Sequence, residues 1–155
     1  MNNISFRVDI SGMPEVQKKV REIITANKKM KPYFIAVGVD VQKEIKSVWR
    51  ASGAPPWAPR KDKTKNHPLL ILTGKLLRSW TERMGAGNIY EVDDSHVTIG
   101  SNLMVGGWNL SALHQTGTRN MPSRPIITDF FMNVTVRNIM YLRLVKYYKK
   151  LFPGA

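Results

Sequence analysis

The 155 residues contain no cysteine, which excludes disulfides and thiolate metal sites. Acidic side chains are scarce, 11 Asp and Glu against 24 Lys and Arg, so little carboxylate is on hand for acid–base chemistry. Two of those acids, Asp93-Asp94, fall where a turn is expected, and aspartate suits a turn for its own backbone reasons. A paired-carboxylate hydrolase needs two separated acids facing a cleft, and no such pair stands out. The three histidines, His67, His96 and His114, have no second ligand at helical or hairpin spacing, so neither a metal nor another cofactor is expected. Neither a Gly-x-Ser-x-Gly elbow nor a Gly-x-x-x-x-Gly-Lys phosphate loop occurs. Enzymatic activity is therefore not expected. No apolar run reaches the roughly 18 residues of a membrane helix. The start, Met1-Asn2-Asn3-Ile4-Ser5, lacks the basic and apolar parts of a secretory signal, so synthesis in a cytoplasm is expected.

What the chain does have is apolar content and positive charge. Hydrophobic residues make up 43%, too many for a wholly disordered chain, and the length suits a single domain, 1–155, with a real core. The net charge of +13 favours nucleic acid, anionic membranes or acidic protein partners. The basic residues are spread over Lys18–Lys31, Lys43–Lys65 and Arg137–Lys150, with no zinc-finger spacing and no RNP-like strand motif. A generally basic surface beside DNA, or packed on acidic neighbours, accounts for that spread. A basic nucleic-acid-binding protein is the alternative.

Ile4-Ser5-Phe6-Arg7-Val8-Asp9-Ile10 alternates as a half-buried strand does. Pro14 suits the first position of a helix, and Val16, Val20, Ile23 and Ile24 recur at helical spacing to about Ala26. Pro32 opens a second helix to about Ala51, with Phe34, Val37, Val41, Ile45, Val48 and Trp49 on one side. Pro55, Pro56, Pro59 and Pro68 then make residues 52–68 an exposed loop, since neither helix nor central strand holds so many prolines. A second long irregular stretch is expected over about 102–124, with Gly106-Gly107, Gly117 and Pro122. Between these lie a short apolar element, Leu76–Trp80, and two strands, Asn88–Val92 and His96–Ile99, joined by Asp93-Asp94-Ser95 as a hairpin. A terminal helix is expected from about Asp129 to Leu151. The fold class is α+β: a small antiparallel sheet packed with helices, two long loops and a C-terminal helix.

Trp57 and Trp108 lie in the two expected loops. Either they fold back to plug a small core, or they anchor subunit contacts, where buried aromatics are favoured. The order of motifs carries more. Pro55-Pro56-Trp57-Ala58-Pro59 is followed by a basic, Thr-containing run and by Leu70-Ile71-Leu72-Thr73-Gly74-Lys75-Leu76-Leu77-Arg78-Ser79. Val97-Thr98-Ile99-Gly100-Ser101 comes next, then Ala112-Leu113-His114-Gln115-Thr116-Gly117 and Pro122-Ser123-Arg124-Pro125. Over roughly residues 55–128 this resembles the phage virion morphogenesis, or tail-completion, family typified by Mu-like phages. Two positions depart from it: Ile126-Ile127-Thr128 follows where the family continues with a Phe-Leu-Gly-like end, and Ser111 precedes Ala112 where an aromatic is common.

The resemblance implies a structural protein of the virion, located in the neck or tail and without enzymatic activity. Such a protein completes the tail and joins it to the DNA-filled head. It works as a homo-oligomeric ring, often of six, like tail terminators, with neighbouring tail and head-connector proteins as partners, packaged DNA nearby and no membrane. In that light the interface candidates are Trp57, Thr73, Gly74, Trp108, His114, Gln115, Gly117, Arg124 and Pro125. Gly74 and Gly117 permit positive φ or close backbone approach, and His114 and Gln115 can bond loop backbone. Arg124, beside rigid Pro125, suits a bidentate carboxylate contact. For each, an intrachain role stands beside the interface role.

Overall fold

The structure is a computed structural model and describes residues 14–60, 64, 67–129 and 131–153. The strand expected at Ile4–Ile10 lies outside the described residues, as do Lys61, Lys63 and Lys65 of the basic run. The α+β class holds: five α-helices accompany two small antiparallel hairpins among the described residues.

Helix α1 covers Pro14–Asn27, where the apolar spacing placed a helix, and α2 (Lys31–Arg50) follows after a short turn. The valine and isoleucine spacing of α2 puts Val37, Val41, Ile45, Val48 and Trp49 on one buried face, which is the centre of the core. Gly38 lets the hairpin approach α2 closely: a Cβ there would stand 2.5 Å from the Tyr90 hydroxyl. Helix α1 is different. None of its residues is buried, and Val16, Val20, Ile23 and Ile24 remain exposed.

Beyond α2 the chain turns through Ser52 and Gly53, both at positive φ (57° and 105°). After the Pro-rich segment, α3 (Lys75–Thr81) leads into β1 (Asn88–Val92) and β2 (Val97–Ser101). These two strands pair in register from Asn88↔Ser101 to Val92↔Val97. Their turn is held by Asp93, whose Oδ1 accepts from the Ser95 amide (2.6 Å), the Ser95 hydroxyl (2.7 Å) and the His96 amide (2.9 Å). Those bonds, the Ser95 hydroxyl first, hold the Asp93 carboxyl down to about 2. Asp94 then accepts from the Lys31 amide at 2.9 Å, so the hairpin tip supplies a carboxylate to the start of α2, where the helix dipole favours it.

The stretch expected to be irregular over 102–124 is so only in part: residues 117–124 carry no helix or strand beyond an isolated Thr118–Met121 bridge, but the part before them is regular. It contains a second hairpin, β3 (Met104–Val105) with β4 (Trp108–Asn109), and a helix, α4 (Leu110–Thr116). Gly106 and Gly107 form the turn at φ 58° and 82°, the left-handed pair that a two-residue hairpin needs. Asn109 caps α4 by accepting from the Ala112 amide at 3.0 Å, in the manner preferred at helix starts. A π-helical segment, Phe131–Val136, runs into α5 (Arg137–Leu151), the expected C-terminal helix. Helix α2 packs against α3, α5 and the β1–β2 ribbon, with Leu76, Leu103, Ile126 and Phe131 completing the core. No helix among the described residues is long and apolar enough to cross a membrane.

Candidate functional site

The site is built where the Pro-rich segment meets the chain that follows α4. Trp57 is the anchor. The loop expected to be exposed sends this side chain inward, to 6% exposure, edge-on to Trp49 with ring centres 5.7 Å apart and planes at 85°. Its indole N–H donates to the Pro125 carbonyl at 2.8 Å, satisfying the one polar group that burial of the ring would otherwise strand. Gly53 makes this possible: a Cβ there would lie 2.6 Å from both the Trp57 ring and the Pro55 carbonyl.

Arg124 is the second anchor, 7% exposed. Its Nε donates to the Ala58 carbonyl (2.9 Å) and Nη2 to the Pro59 carbonyl (3.1 Å). The fork is thus aimed at two backbone oxygens of its own chain, where a bidentate carboxylate contact was one expectation. The Arg124 amide donates to the His114 carbonyl at 2.7 Å. Burial, then the nearby Arg60 charge, lowers the Arg124 pKa from its ordinary value.

Gln115 ties the same strand of chain to α4. Its Oε1 accepts from the amides of Ile126 (3.0 Å) and Ile127 (3.4 Å), and its Nε2 donates to the Ile127 carbonyl. Ser123 Oγ donates to the Gln115 carbonyl at 2.8 Å. Gly117 ends α4 at φ 76°, so close to the returning chain that a Cβ would meet the Ser123 nitrogen at 2.7 Å. Both readings of that glycine, positive φ and close approach, hold together. Ser111, where the resemblance leads one to expect an aromatic, is buried and accepts the Trp80 indole N–H at 3.0 Å, joining α3 to α4.

Thr73 and Gly74 stand at the head of α3. Gly74 has φ 71°, and its carbonyl accepts from the Arg78 amide at 2.9 Å. The Thr73 carbonyl accepts from Arg78 Nη2 at 3.3 Å. Together with His114 and Arg124 these residues line a cavity of about 450 Å³. Arg60 and His67 line it too, with Arg60 Nη2 at 2.8 Å from His67 Nδ1 and 2.6 Å from the Pro68 carbonyl. His114 Nδ1 is buried with no hydrogen-bond partner, and burial, then the Arg124 charge, lowers its pKa. No acidic residue is among the described residues that line this cavity.

Six of the nine candidates, Trp57, His114, Gln115, Gly117, Arg124 and Pro125, lie in or directly beside one set of hydrogen bonds between the Pro-rich segment, α4 and the chain after it, while Thr73 and Gly74 join His114 and Arg124 only as lining of the cavity. Trp108 stands apart on β4, 66% exposed. Sequence reasoning missed Arg60 and His67 as members, and Leu72 and Val105 as the apolar rim. Arg60 and His67 belong to a Pro- and Lys-rich run, where composition signals only a loop. The arrangement can hold backbone segments together and present a basic, apolar concavity.

Comparison with known proteins adds no relative: no family model, no curated protein and no solved structure matches the chain.

Proposed function

We propose that this chain is a structural virion protein of a tailed bacteriophage, a tail-completion or neck subunit that joins the tail to the head as part of a ring. One observation carries the reading. The segments that carry the resemblance, the Pro-rich Trp57 stretch, the Thr73-Gly74 element, the His114-Gln115 element and Ser123-Arg124-Pro125, are far apart in sequence, with 68 positions between Trp57 and Pro125. Three of them are nonetheless joined by Trp57–Pro125, Arg124–Ala58 and Gln115–Ile126 hydrogen bonds, and the Thr73-Gly74 element shares the lining of one cavity with His114 and Arg124. Motifs that co-occur because they build one structural unit, and not a reaction centre, are what a scaffold subunit requires.

Apolar surface supports the same reading. The row Val16, Val20, Ile23 and Ile24 on α1, and Leu72, Met104, Val105 and Trp108 elsewhere, are all exposed. Exposed apolar patches of this kind mark interaction surfaces. On this reading the gene's deletion from its phage leaves filled heads and tails that are made but unjoined, or tails of defective length. Electron micrographs of lysates test it, and intact infectious particles from the deletion would sink it.

A further inference from the structure

The cavity beside Arg124 combines two properties. Its walls are mainly apolar, from Leu69, Leu70, Leu76, Leu103 and Leu110. Every charged side chain among its described lining residues is basic: Arg60, Lys75 and Arg124, with His67 and His114 alongside. At about 450 Å³ it falls in the range of roughly 300–1,000 Å³ usual for binding pockets.

The apolar wall continues outward. Leu72 lies on the rim at 77% exposure, and Val105 reaches it from the β3–β4 hairpin. Trp108 is the cross-strand partner of Val105, and directly opposed residues of an antiparallel pair share one face. The exposed indole therefore stands beside Val105 and extends the apolar strip beyond the pocket mouth.

We infer that this pocket and strip form a docking surface for a short segment of another protein in which a carboxylate is flanked by large apolar side chains. Charge complementarity selects the occupant. A second copy of a chain with net charge +13 meets like charge at a basic mouth, which disfavours wrong partners. Nucleic acid is the poorer match, because a phosphate backbone would leave the leucine and valine walls uncovered. Arg124, whose fork is turned onto the Ala58 and Pro59 carbonyls, acts as a fixed positive charge in the wall. An acidic, apolar peptide uses both features: its carboxylate is drawn by Arg124 and its neighbours, and its side chains fill the leucine-lined space and cover Trp108. The inference does not depend on the virion reading and is tested on the isolated full-length chain.

The probe is a displayed library of short random peptides, selected on the wild-type chain and counter-selected on the Leu72→Ser/Trp108→Ser double variant. Both substitutions fall at exposed positions, so thermal midpoints of variant and wild type should agree. The expected winners carry Asp or Glu next to Leu, Ile, Phe or Trp. A winner made as a free peptide should bind at least about tenfold more weakly, a difference of about 1.4 kcal/mol, when its acids become amides, when its apolar residues become serine, or when the double variant replaces wild type. Winners without acidic residues, or equal binding to the double variant, overturn the inference. Displacement of the bound peptide by an equimolar short DNA duplex overturns it too, by assigning the surface to nucleic acid.

Discussion

Arg143 of α5 and Asp40 of α2 meet in a two-pronged ion pair, Nε to Oδ2 at 2.5 Å and Nη2 to Oδ1 at 2.7 Å. The pair clamps the last helix to the central one across 103 residues of sequence. It follows from shape: the planar guanidinium matches a carboxylate edge that an ammonium cannot. The bond to Arg143, above all, lowers the Asp40 pKa from its ordinary value.

A pH dependence follows. A carboxyl whose pKa is lowered in the fold stabilises it above the unfolded value, about 3.9, and that stabilisation is lost as pH falls through the folded value. Asp40→Asn should cost about 1 kcal/mol at pH 7, because the side chains are only partly exposed, 23% and 29%. The difference from wild type should shrink between about pH 4 and the acid limit of the fold. Urea titrations of both proteins at pH 7 and pH 3 read it directly, and an equal gap at the two pH values would be wrong for this account.

The latch at Trp57 should be worth more. Trp57→Ala removes a buried ring and leaves a cavity against Trp49, at about 3–5 kcal/mol. Trp57→Phe keeps most of the packing but strands the Pro125 carbonyl, at about 1–3 kcal/mol. Arg124→Ala should fall near the smaller figure, since it strands the Ala58 and Pro59 carbonyls. Thermal denaturation of isolated subunits checks the order. If Arg124→Ala left the subunit as stable as wild type while disrupting particle assembly, the side chain would act at an interface instead.

Gly38 gives a test with an unusual sign. Alanine is favoured over glycine inside a helix by about 1 kcal/mol, yet Gly38→Ala should destabilise the protein by about 1–3 kcal/mol. The new methyl would stand 2.5 Å from the Tyr90 hydroxyl and 3.0 Å from its ring. Tyr90→Phe removes the hydroxyl, so the double variant should recover part of the loss beyond additivity. A double-mutant cycle in denaturant measures that coupling.

Charge sets a further expectation. Lys146, Lys149 and Lys150 are exposed near the end of α5, and lysine is a hydrated point charge that makes few fixed bidentate contacts. A ring around a DNA channel needs such a surface, neither repelling phosphates nor holding them. Duplex DNA should bind the isolated chain only in the non-specific range, roughly 10⁻⁴–10⁻⁶ M at physiological salt. Fluorescence anisotropy over a salt series measures it. Nanomolar, sequence-dependent binding would instead favour a basic nucleic-acid-binding protein.

The parts of the fold that were legible in sequence have long, strong periodicity. The α2 face from Val37 to Trp49 repeats over several turns, and Pro32 marks the helix start by a local steric rule. The β1–β2 hairpin has alternation on both sides of an aspartate turn. Residues 102–124 were opaque because their elements are minute: strands of two residues and a helix of seven. Signals were nevertheless present, in Gly106-Gly107 between apolar neighbours, a hairpin dipeptide, and in Asn109 three residues before Ala112, a capping spacing. The site candidates were chosen by resemblance, and Trp108 by its place in an expected loop, so their identities were legible while their directions were not. Nothing local in the sequence tells that Trp57 turns inward, because that depends on Pro125, 68 positions away, as well as on Trp49.

The β3–β4 turn has one more consequence. A Cβ on Gly106 or Gly107 would meet no atom within 4 Å, so only the handedness of the backbone keeps these positions glycine. The tip is therefore a place to splice in a flexible, glycine-flanked tag without touching the core. A fluorophore carried there would ride within a few residues of Trp108 and report, by its own change of colour or anisotropy, the moment something settles on that face.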